Sequence, residues 1–277
     1  MFMKKILVVS VKIVLLLFAG SILYEGCKPK GRNVENEDLA DKINILVSQH
    51  HERGAFDGTI LVADSSGVIF KGVYGLANQE RNIPLTTESQ FYLASVSKQF
   101  TAAAILMLVQ GGDIELDERI RTYLPELPEI YQEITFRNLL NHTSGIPDYY
   151  NFAKLFPGFT NSDVLNSLIT VEELEFEPGT QYRYSNSGYV LLSILVDRIS
   201  GFSFANFIKE NALQKAGIKN TIIYDQYADA PEYRVTGYGT DGKLTDYKFR
   251  TTGGGGIFSN VEDLYKWHRT LSSYSLI

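Results

Sequence analysis

Cysteine and histidine are scarce in this sequence. Cys27 is the single cysteine among 277 residues, so no intramolecular disulfide can form. His50 and His51 are adjacent and cannot face one site on a helix. The two other histidines, His142 and His268, lack nearby ligands at the spacing that zinc requires. We therefore expect neither a metal nor another cofactor.

A basic excess is also missing. The formal net charge is −6 and no run of basic residues occurs, so nucleic acid is a poor candidate as a partner. Apolar residues make up 44% of the chain and charged residues 21%, which is enough apolar material for a substantial core. The composition predicts one large domain or two intimate subdomains.

The first 26 residues have the layout of an export signal. Lys4 and Lys5 precede an apolar stretch over residues 6–23, after which small and polar residues follow. A retained membrane helix is the alternative, but the uncharged part, residues 13–23, is shorter than the ~20 residues that span a bilayer. We expect an exported protein on the periplasmic or extracytoplasmic face of the cell envelope.

Cys27 follows Gly26 directly after this stretch and resembles the lipid-attachment cysteine of bacterial lipoproteins. Tyr24 and Glu25 depart from that motif, which normally has small or aliphatic residues there. Residues 27–37 are polar and are interpreted as a tether. The membrane is thus an expected partner, through the signal or a lipid on Cys27, and the oligomeric state stays open.

Hydrophobic periodicity predicts the main elements of residues 38–277. The predicted elements are a helix over 38–53, a hairpin of strands 59–63 and 68–74, a helix over 97–109 that is apolar on nearly every face, a core helix over 190–199, and strands over 221–224 and 233–238. A helix that is apolar all round is buried. The order predicts an α/β (α+β) fold in which an antiparallel sheet is built from both chain ends, with flanking helices and a helical subdomain over about 97–217 inserted between them.

A serine and a lysine open the predicted buried helix. Ser95 and Lys98 are three residues apart, which places them on one helical face. A serine hydroxyl needs a base within hydrogen-bond reach, and a lysine can be that base if burial lowers its pKa. The alternative is an N-cap serine beside a solvated lysine.

A second polar cluster, Tyr184-Ser185-Asn186, precedes the core helix. The phenol of Tyr184 can relay a proton, and the amide of Asn186 can orient a substrate or the lysine. The alternative is a structural turn closed by the asparagine, with a packed tyrosine.

Four ordered segments together resemble one known family. They are residues 91–98 (FYLASVSK), 139–147 (LLNHTSGIP), 177–186 (EPGTQYRYSN) and 254–259 (GGGIFS). They resemble the serine beta-lactamase and penicillin-binding-protein-like hydrolases, within them the class C, esterase and D-aminopeptidase-like branch. The similarity extends from about Phe56 to the end, and four ordered motifs are far more specific than S-x-x-K alone.

The resemblance implies a role for each matched residue. Ser95 would be acylated by a carbonyl substrate, Lys98 and Tyr184 would share its proton, and Asn186 would contact the substrate. The substrate would be a small molecule or peptide with an amide or ester bond: a beta-lactam, a peptidoglycan stem peptide, a D-amino-acid peptide or an ester.

One family motif has no counterpart. The family has Lys or His, then Thr or Ser, then Gly, after the glycine-rich segment, whereas residues 251–253 (TTG) precede that segment and lack the cation. We therefore expect a chain cut short after Ile277, without its last strands. The alternative function is a catalytically silent binding module or a truncated remnant of the fold.

Overall fold

The computed structural model describes residues 34–239, 241–245, 247–273 and 276. The predicted export signal (1–26), Cys27 and the first part of the predicted tether lie outside these residues. Export and lipidation therefore stay predictions.

Helices are the main regular structure in the described part of the chain. They are α1 (Val34–Glu52), α2 (Lys98–Gly111), α3 (Phe136–Leu140), α4 (Asn161–Ile169), α5 (Asn186–Ser200), α6 (Phe204–Ile208) and α7 (Val261–Ser272). Short 3-10 turns occupy Ala94–Ser97, Ile120–Thr122, Glu129–Tyr131 and Tyr149–Asn151, and a π-helical turn, Lys209–Leu213, continues α6.

The strands are short and pair antiparallel. They are β1 (Gly58–Asp64), β2 (Gly67–Tyr74), β3 (Leu76–Asn78), β4 (Ile83–Pro84), β5 (Phe91–Tyr92), β6 (Ile222–Ile223) and β7 (Ile257–Ser259). They form three sheets, with the orders β1-β2, β3-β4 and β5-β7-β6.

The predicted hairpin is confirmed as β1 and β2. Its register pairs Gly58 with Tyr74 and Asp64 with Gly67, with an irregularity after Val62. Asp64 Oδ1 accepts hydrogen bonds from the backbone N–H of Ser66 at 2.8 Å and of Gly67 at 3.2 Å. A side-chain acceptor of this kind closes a tight turn, as aspartate does in Asx turns.

The predicted fold class is also confirmed: helices and antiparallel sheets are mixed. Early and late segments of the chain meet in the sheet β5-β7-β6, where Phe91 pairs with Ser259 and Ile222 with Phe258. The early hairpin forms a sheet of its own rather than joining this one. The sheet that unites distant segments is therefore small, and it carries β5, which leads directly to Ser95.

The two predicted core helices lie at the centre of the fold. In α2 the side chains of Phe100, Ala104 and Ile105 are fully buried, and α5 is buried from Ser187 to Val196. Both helices end at a glycine in the left-handed region, Gly112 and Gly201, as is common at helix C-termini. The buried apolar side chains of these helices form one continuous cluster.

Taken singly, none of the described helices is long and apolar enough to cross a bilayer. One bent pair, Asn186–Ser200 with Phe204–Leu213, meets the criteria of length and composition together, with a bend of 79°.

The first helix differs from its prediction in length and in burial. It begins at Val34, so the last residues of the predicted tether are helical. Acidic residues such as Glu37 and Asp38 favour a helix N-terminus, and Asp38 also pairs with Lys42 one turn later. Leu39, one of the apolar residues whose helical spacing predicts this helix, is 42% exposed, and α1 packs mainly against β2.

The predicted strand over residues 233–238 is wrong. Arg234 and Tyr238 make only isolated bridges, to Gln90 and Leu244. The backbone N–H of Val235 bonds to Gln90, whereas that of Thr236 bonds to Ala77 on another segment. Successive residues thus pair with different partners, and no continuous ladder can form.

Candidate active site

Ser95 lies in the 3-10 turn Ala94–Ser97, immediately before α2. Its side chain is exposed, whereas the neighbouring Ser97 and Lys98 are buried. Ala94 has φ 46°, in the left-handed region that costs a non-glycine residue energy. The prediction put Ser95 in the first turn of the buried helix, and the structure puts it in the tighter turn that precedes it. The strained residue thus directly precedes the exposed serine.

Lys98 is the first residue of α2 and only 7% of its surface is exposed. Its ammonium nitrogen Nζ donates to Asn186 Oδ1 and to the carbonyl oxygen of Gly254, both at 2.8 Å. A third, longer contact of 3.4 Å joins Nζ to Ser95 Oγ. Burial lowers the pKa of Lys98 to about 8, against a smaller opposing effect of the Asp148 carboxylate.

Tyr184 lies in the loop before α5 and is 42% exposed. Its hydroxyl donates to Ser95 Oγ at 2.6 Å, and the Lys98 ammonium lies 4.7 Å from the centre of its ring. Burial raises the pKa of the phenol, and the hydrogen bond to Ser95 lowers it in part. The phenol is therefore protonated at neutral pH and acts as a donor to the serine oxygen.

Asn186 is the first residue of α5 and connects Lys98 to a residue that the sequence did not single out. Its backbone N–H and its side-chain Nδ2 both donate to Asp148 Oδ2, at 2.9 and 2.8 Å. Asp148 follows Pro147 and is half-buried. Nothing in the spacing connects positions 148 and 186, so only the fold brings this carboxylate to the site.

The glycine-rich segment forms the wall behind Lys98. Thr101 Oγ1 donates to the Gly253 carbonyl at 2.9 Å, and Gly254 supplies the carbonyl that Lys98 binds. A Cβ at Gly253, where φ is +88°, would lie 2.0 Å from the Tyr189 carbonyl oxygen. These glycines are therefore needed for close approach to α5. Thr251 and Thr252, the superficial match to the third motif, are buried in packing contacts next to this wall.

His142 packs behind Tyr184. Its ring centre lies 4.4 Å from that of Tyr184 and 5.0 Å from that of Tyr189. Its Nδ1 accepts a hydrogen bond of 3.2 Å from the backbone N–H of Ser185. Burial, and then the charge of Lys98, lower the pKa of His142. A neutral imidazole with an acceptor nitrogen fits all these contacts.

A cleft of about 420 Å³ opens beside these residues. Its lining is polar, and Tyr184 and Asn186 form the wall nearest to the serine. The lining residues are Asp148, Tyr150, Asn151, Glu175, Arg183, Tyr184 and Asn186. Arg183 pairs with Glu175 across the cleft, with Nε to Oε2 at 3.2 Å.

The structure brings Ser95, Lys98, Tyr184 and Asn186 into one crevice, although they come from segments about ninety residues apart. Cys27, the predicted lipidation site, lies outside the described residues. The sequence did not identify Asp148 or the Gly254 carbonyl as partners in the crevice. An exposed hydroxyl that contacts a phenol and a buried amine of lowered pKa is suited to nucleophilic attack on a carbonyl carbon.

Sequence comparison gives matches to known proteins. A family model described as Beta-lactamase matches residues 39–276. Penicillin-binding protein 4* of Bacillus subtilis (strain 168) is 38% identical over 183 residues, covering 63% of this chain and 40% of that protein. D-aminopeptidase of Gluconobacter oxydans (strain 621H) is 28% identical over 224 residues, covering 76% of this chain and 41% of that protein. The chain thus spans about 40% of the length of these two curated relatives.

Solved structures of similar fold lead to the same group. The octameric penicillin-binding protein homologue from Pyrococcus abyssi has a TM-score of 0.76 at 25% identity, covering 87% of this chain and 58% of that one. The D-amino acid amidase from Ochrobactrum anthropi SV3, complexed with L-phenylalanine amide, has a TM-score of 0.74 at 25% identity, covering 87% and 72%. FmtA from Staphylococcus aureus, at 20% identity and a TM-score of 0.76, covers 91% of this chain and 71% of that one, and it shares the fold.

Proposed function

The chain belongs to the beta-lactamase family, and from that premise we propose that it is a serine hydrolase that cleaves amide or ester bonds through an acyl-enzyme on Ser95. The observation that carries the proposal is the pair of contacts at Ser95 Oγ, 2.6 Å from the Tyr184 hydroxyl and 3.4 Å from the Lys98 nitrogen. Relatives named as penicillin-binding proteins and a D-aminopeptidase support the same chemistry.

The contacts of Lys98 favour it as the first acceptor of the serine proton. Two of its three N–H groups are held by the Asn186 amide oxygen and the Gly254 carbonyl. The third N–H position on the lysine nitrogen points to Ser95. Loss of the proton there leaves a lone pair that faces the serine hydroxyl. A pKa of about 8 makes the neutral amine accessible near physiological pH. Tyr184, whose phenol has a raised pKa, meanwhile donates to Ser95 Oγ.

In the proposed reaction, Ser95 Oγ attacks the substrate carbonyl carbon while its proton moves to Lys98 Nζ. The carbon–nitrogen or carbon–oxygen bond then breaks, the leaving group takes a proton from Tyr184, and Lys98 returns a proton to Tyr184. Hydrolysis of the acyl-enzyme reverses these transfers: Tyr184 passes its proton to Lys98 and takes one from the water that attacks the acyl carbon. Lys98 then protonates Ser95 Oγ as the acyl bond breaks, which releases the carboxylic acid and restores all three groups. We propose beta-lactams, D-amino-acid amides and peptides, and esters as the substrate classes.

The test is covalent labelling with a fluorescent penicillin and with a fluorophosphonate. We expect the wild type to be labelled on Ser95 and the Ser95→Ala variant to lose labelling by about 1,000-fold or more, because removal of a nucleophile abolishes the acyl-enzyme. Ser97→Ala is the matched control, since Ser97 lies in the same turn and its hydroxyl has no hydrogen-bond partner among the described residues. An unlabelled wild type contradicts the proposal and favours a silent binding module.

We further propose that the protein is exported and attached to the cell envelope. The support is the charged and apolar layout of residues 4–23 followed by Cys27. Cell fractionation tests this: wild type is expected with the membranes, and Cys27→Ala in the soluble exported fraction. Wild type in the cytosolic fraction contradicts export, and Cys27→Ala with the membranes contradicts lipidation.

A further inference from the structure

The Asp148 carboxylate accepts hydrogen bonds through both of its oxygens beside the crevice. Oδ2 accepts from the backbone N–H and the side-chain Nδ2 of Asn186, at 2.9 and 2.8 Å. Oδ1 accepts from the backbone N–H of Tyr150 at 3.1 Å. The last bond caps the 3-10 turn Tyr149–Asn151 and fixes the carboxylate to the backbone. Asp148 therefore holds the asparagine at two points and is itself held at a third.

This arrangement decides which way the Asn186 amide faces. With Nδ2 bound to the carboxylate, Oδ1 faces the Lys98 nitrogen at 2.8 Å. The opposite orientation would set an NH2 group against an ammonium, donor against donor, and its carbonyl oxygen against a carboxylate. The side-chain torsion of asparagine is otherwise broad and roughly two-fold, so a free amide would populate both orientations.

We infer that Asp148 is a positioning residue that holds the Asn186 amide with its oxygen toward Lys98. Because that oxygen and the Gly254 carbonyl bind two N–H groups of the lysine, the third N–H position is left facing Ser95. The inference rests on the proposed function, since it assigns Asp148 a role in preparing the base of that reaction.

The carboxylate acts on Lys98 through its charge as well. The titratable side chains around the lysine nitrogen are Tyr184 and Tyr189, whose rings it faces, the neutral His142 behind them, and Asp148. Of these, Asp148 supplies the negative charge, and it opposes the lowering of the lysine pKa by burial. Removing that charge alone must therefore lower the pKa of Lys98 further.

Two substitutions separate the geometric effect from the charge effect. In Asp148→Asn the new amide oxygen can still accept both hydrogen bonds from Asn186, but the charge is gone. An NH2 group also replaces the oxygen that accepts from the backbone N–H of Tyr150, so the cap of that short turn is lost as well. We expect acylation within a few-fold of wild type at its optimum, with the pH midpoint moved below that of wild type. In Asp148→Ala the lock is lost, and we expect acylation of Ser95 to fall about 100-fold, the size of loss that follows a misplaced reacting group.

Asp163→Ala is the matched control, because Asp163 is also half-buried and its Oδ2 accepts from the backbone N–H of Thr160 at 2.8 Å at the start of α4, away from the crevice. It should lower the melting temperature and leave the pH midpoint and the rate of acylation unchanged. Acylation of Asp148→Ala at the wild-type rate, or equal loss in Asp148→Ala and Asp148→Asn with an unmoved midpoint, overturns the inference.

A measurement that needs no catalysis distinguishes failure of the proposed function from failure of the role inferred for Asp148. In protein labelled with carbon-13 at the lysine ε position, NMR reports the titration of Lys98, and Lys98→Met assigns its signal. The inference expects a lower midpoint in Asp148→Asn than in wild type, even if no probe acylates Ser95. An unlabelled wild type with a shifted lysine titration contradicts the proposed function alone, whereas an unshifted titration contradicts the role of Asp148.

Discussion

The crevice around Lys98 and the β1–β2 hairpin are held by different kinds of contact. In the crevice, the Lys98 nitrogen binds the Asn186 side chain, 88 residues away in the chain, and the Gly254 carbonyl, 156 residues away. Both residues are at least half-buried. In the hairpin, the pairing is local, and only Gly58 of β1 is buried. The crevice is thus a product of long-range packing, whereas the hairpin is a product of local sequence.

The hairpin is joined to α7 by a contact that is partly open to solvent. Within the described residues β1 pairs with β2 alone, and a groove of about 1,020 Å³ lies between β1 and α7. An ion pair, Lys71 Nζ to Glu262 Oε1 at 2.5 Å, joins the hairpin to α7, with its side chains 42% and 41% exposed. Substitutions should therefore be costly in the crevice and mild in the hairpin.

The largest effect on stability is expected for Gly253→Ala in the crevice wall. A methyl group there would lie 2.0 Å from the Tyr189 carbonyl oxygen, and φ is +88°. Strain and overpacking together should lower the free energy of unfolding by about 3 kcal/mol or more. Gly112→Ala is the matched control, since φ is +78° and nothing lies within 4 Å, and it should cost about 1 kcal/mol. Urea unfolding measures both, and equal losses would mean that the close packing of Gly253 against α5 adds nothing to the cost.

The smallest effect is expected for Glu262→Gln, which breaks the ion pair between the hairpin and α7. Because both side chains are more than a third exposed, water screens the pair, and the loss should be about 0.5 kcal/mol or less. Urea unfolding at low salt and at high salt measures it, and the difference from wild type should shrink as salt is added. A loss as large as that of Gly112→Ala would mean that the hairpin depends on this contact.

The same contrast explains what could be predicted from the sequence. The hairpin and α2 follow from local patterns, namely two β-favouring runs around a turn and an apolar stretch ended by glycines. Ser95, Lys98, Tyr184 and Asn186 were singled out by motif resemblance, and the fold brings them together. Their catalytic roles stay predictions until labelling is measured.

Other features depend on contacts that no local pattern contains. Asp148 meets Asn186 across 38 residues, and Gly254 meets Lys98 across 156, so neither partnership has a spacing to recognise. The predicted strand over 233–238 failed for a related reason: its β-favouring residues find partners on two different segments, Gln90 and Ala77. The β-propensity of the residues identifies an extended segment, but only the tertiary fold determines whether a neighbouring strand can pair with it along its length.

The most direct measurement is the rate at which a fluorophosphonate labels Ser95 as a function of pH, with the adduct located by peptide mass spectrometry. The fraction of neutral Lys98 increases as pH rises through its pKa, so the rate should rise with a midpoint near 8 and then level off. A midpoint near 10.5, the ordinary value of a lysine, a rate independent of pH, or an adduct on another residue would contradict the account.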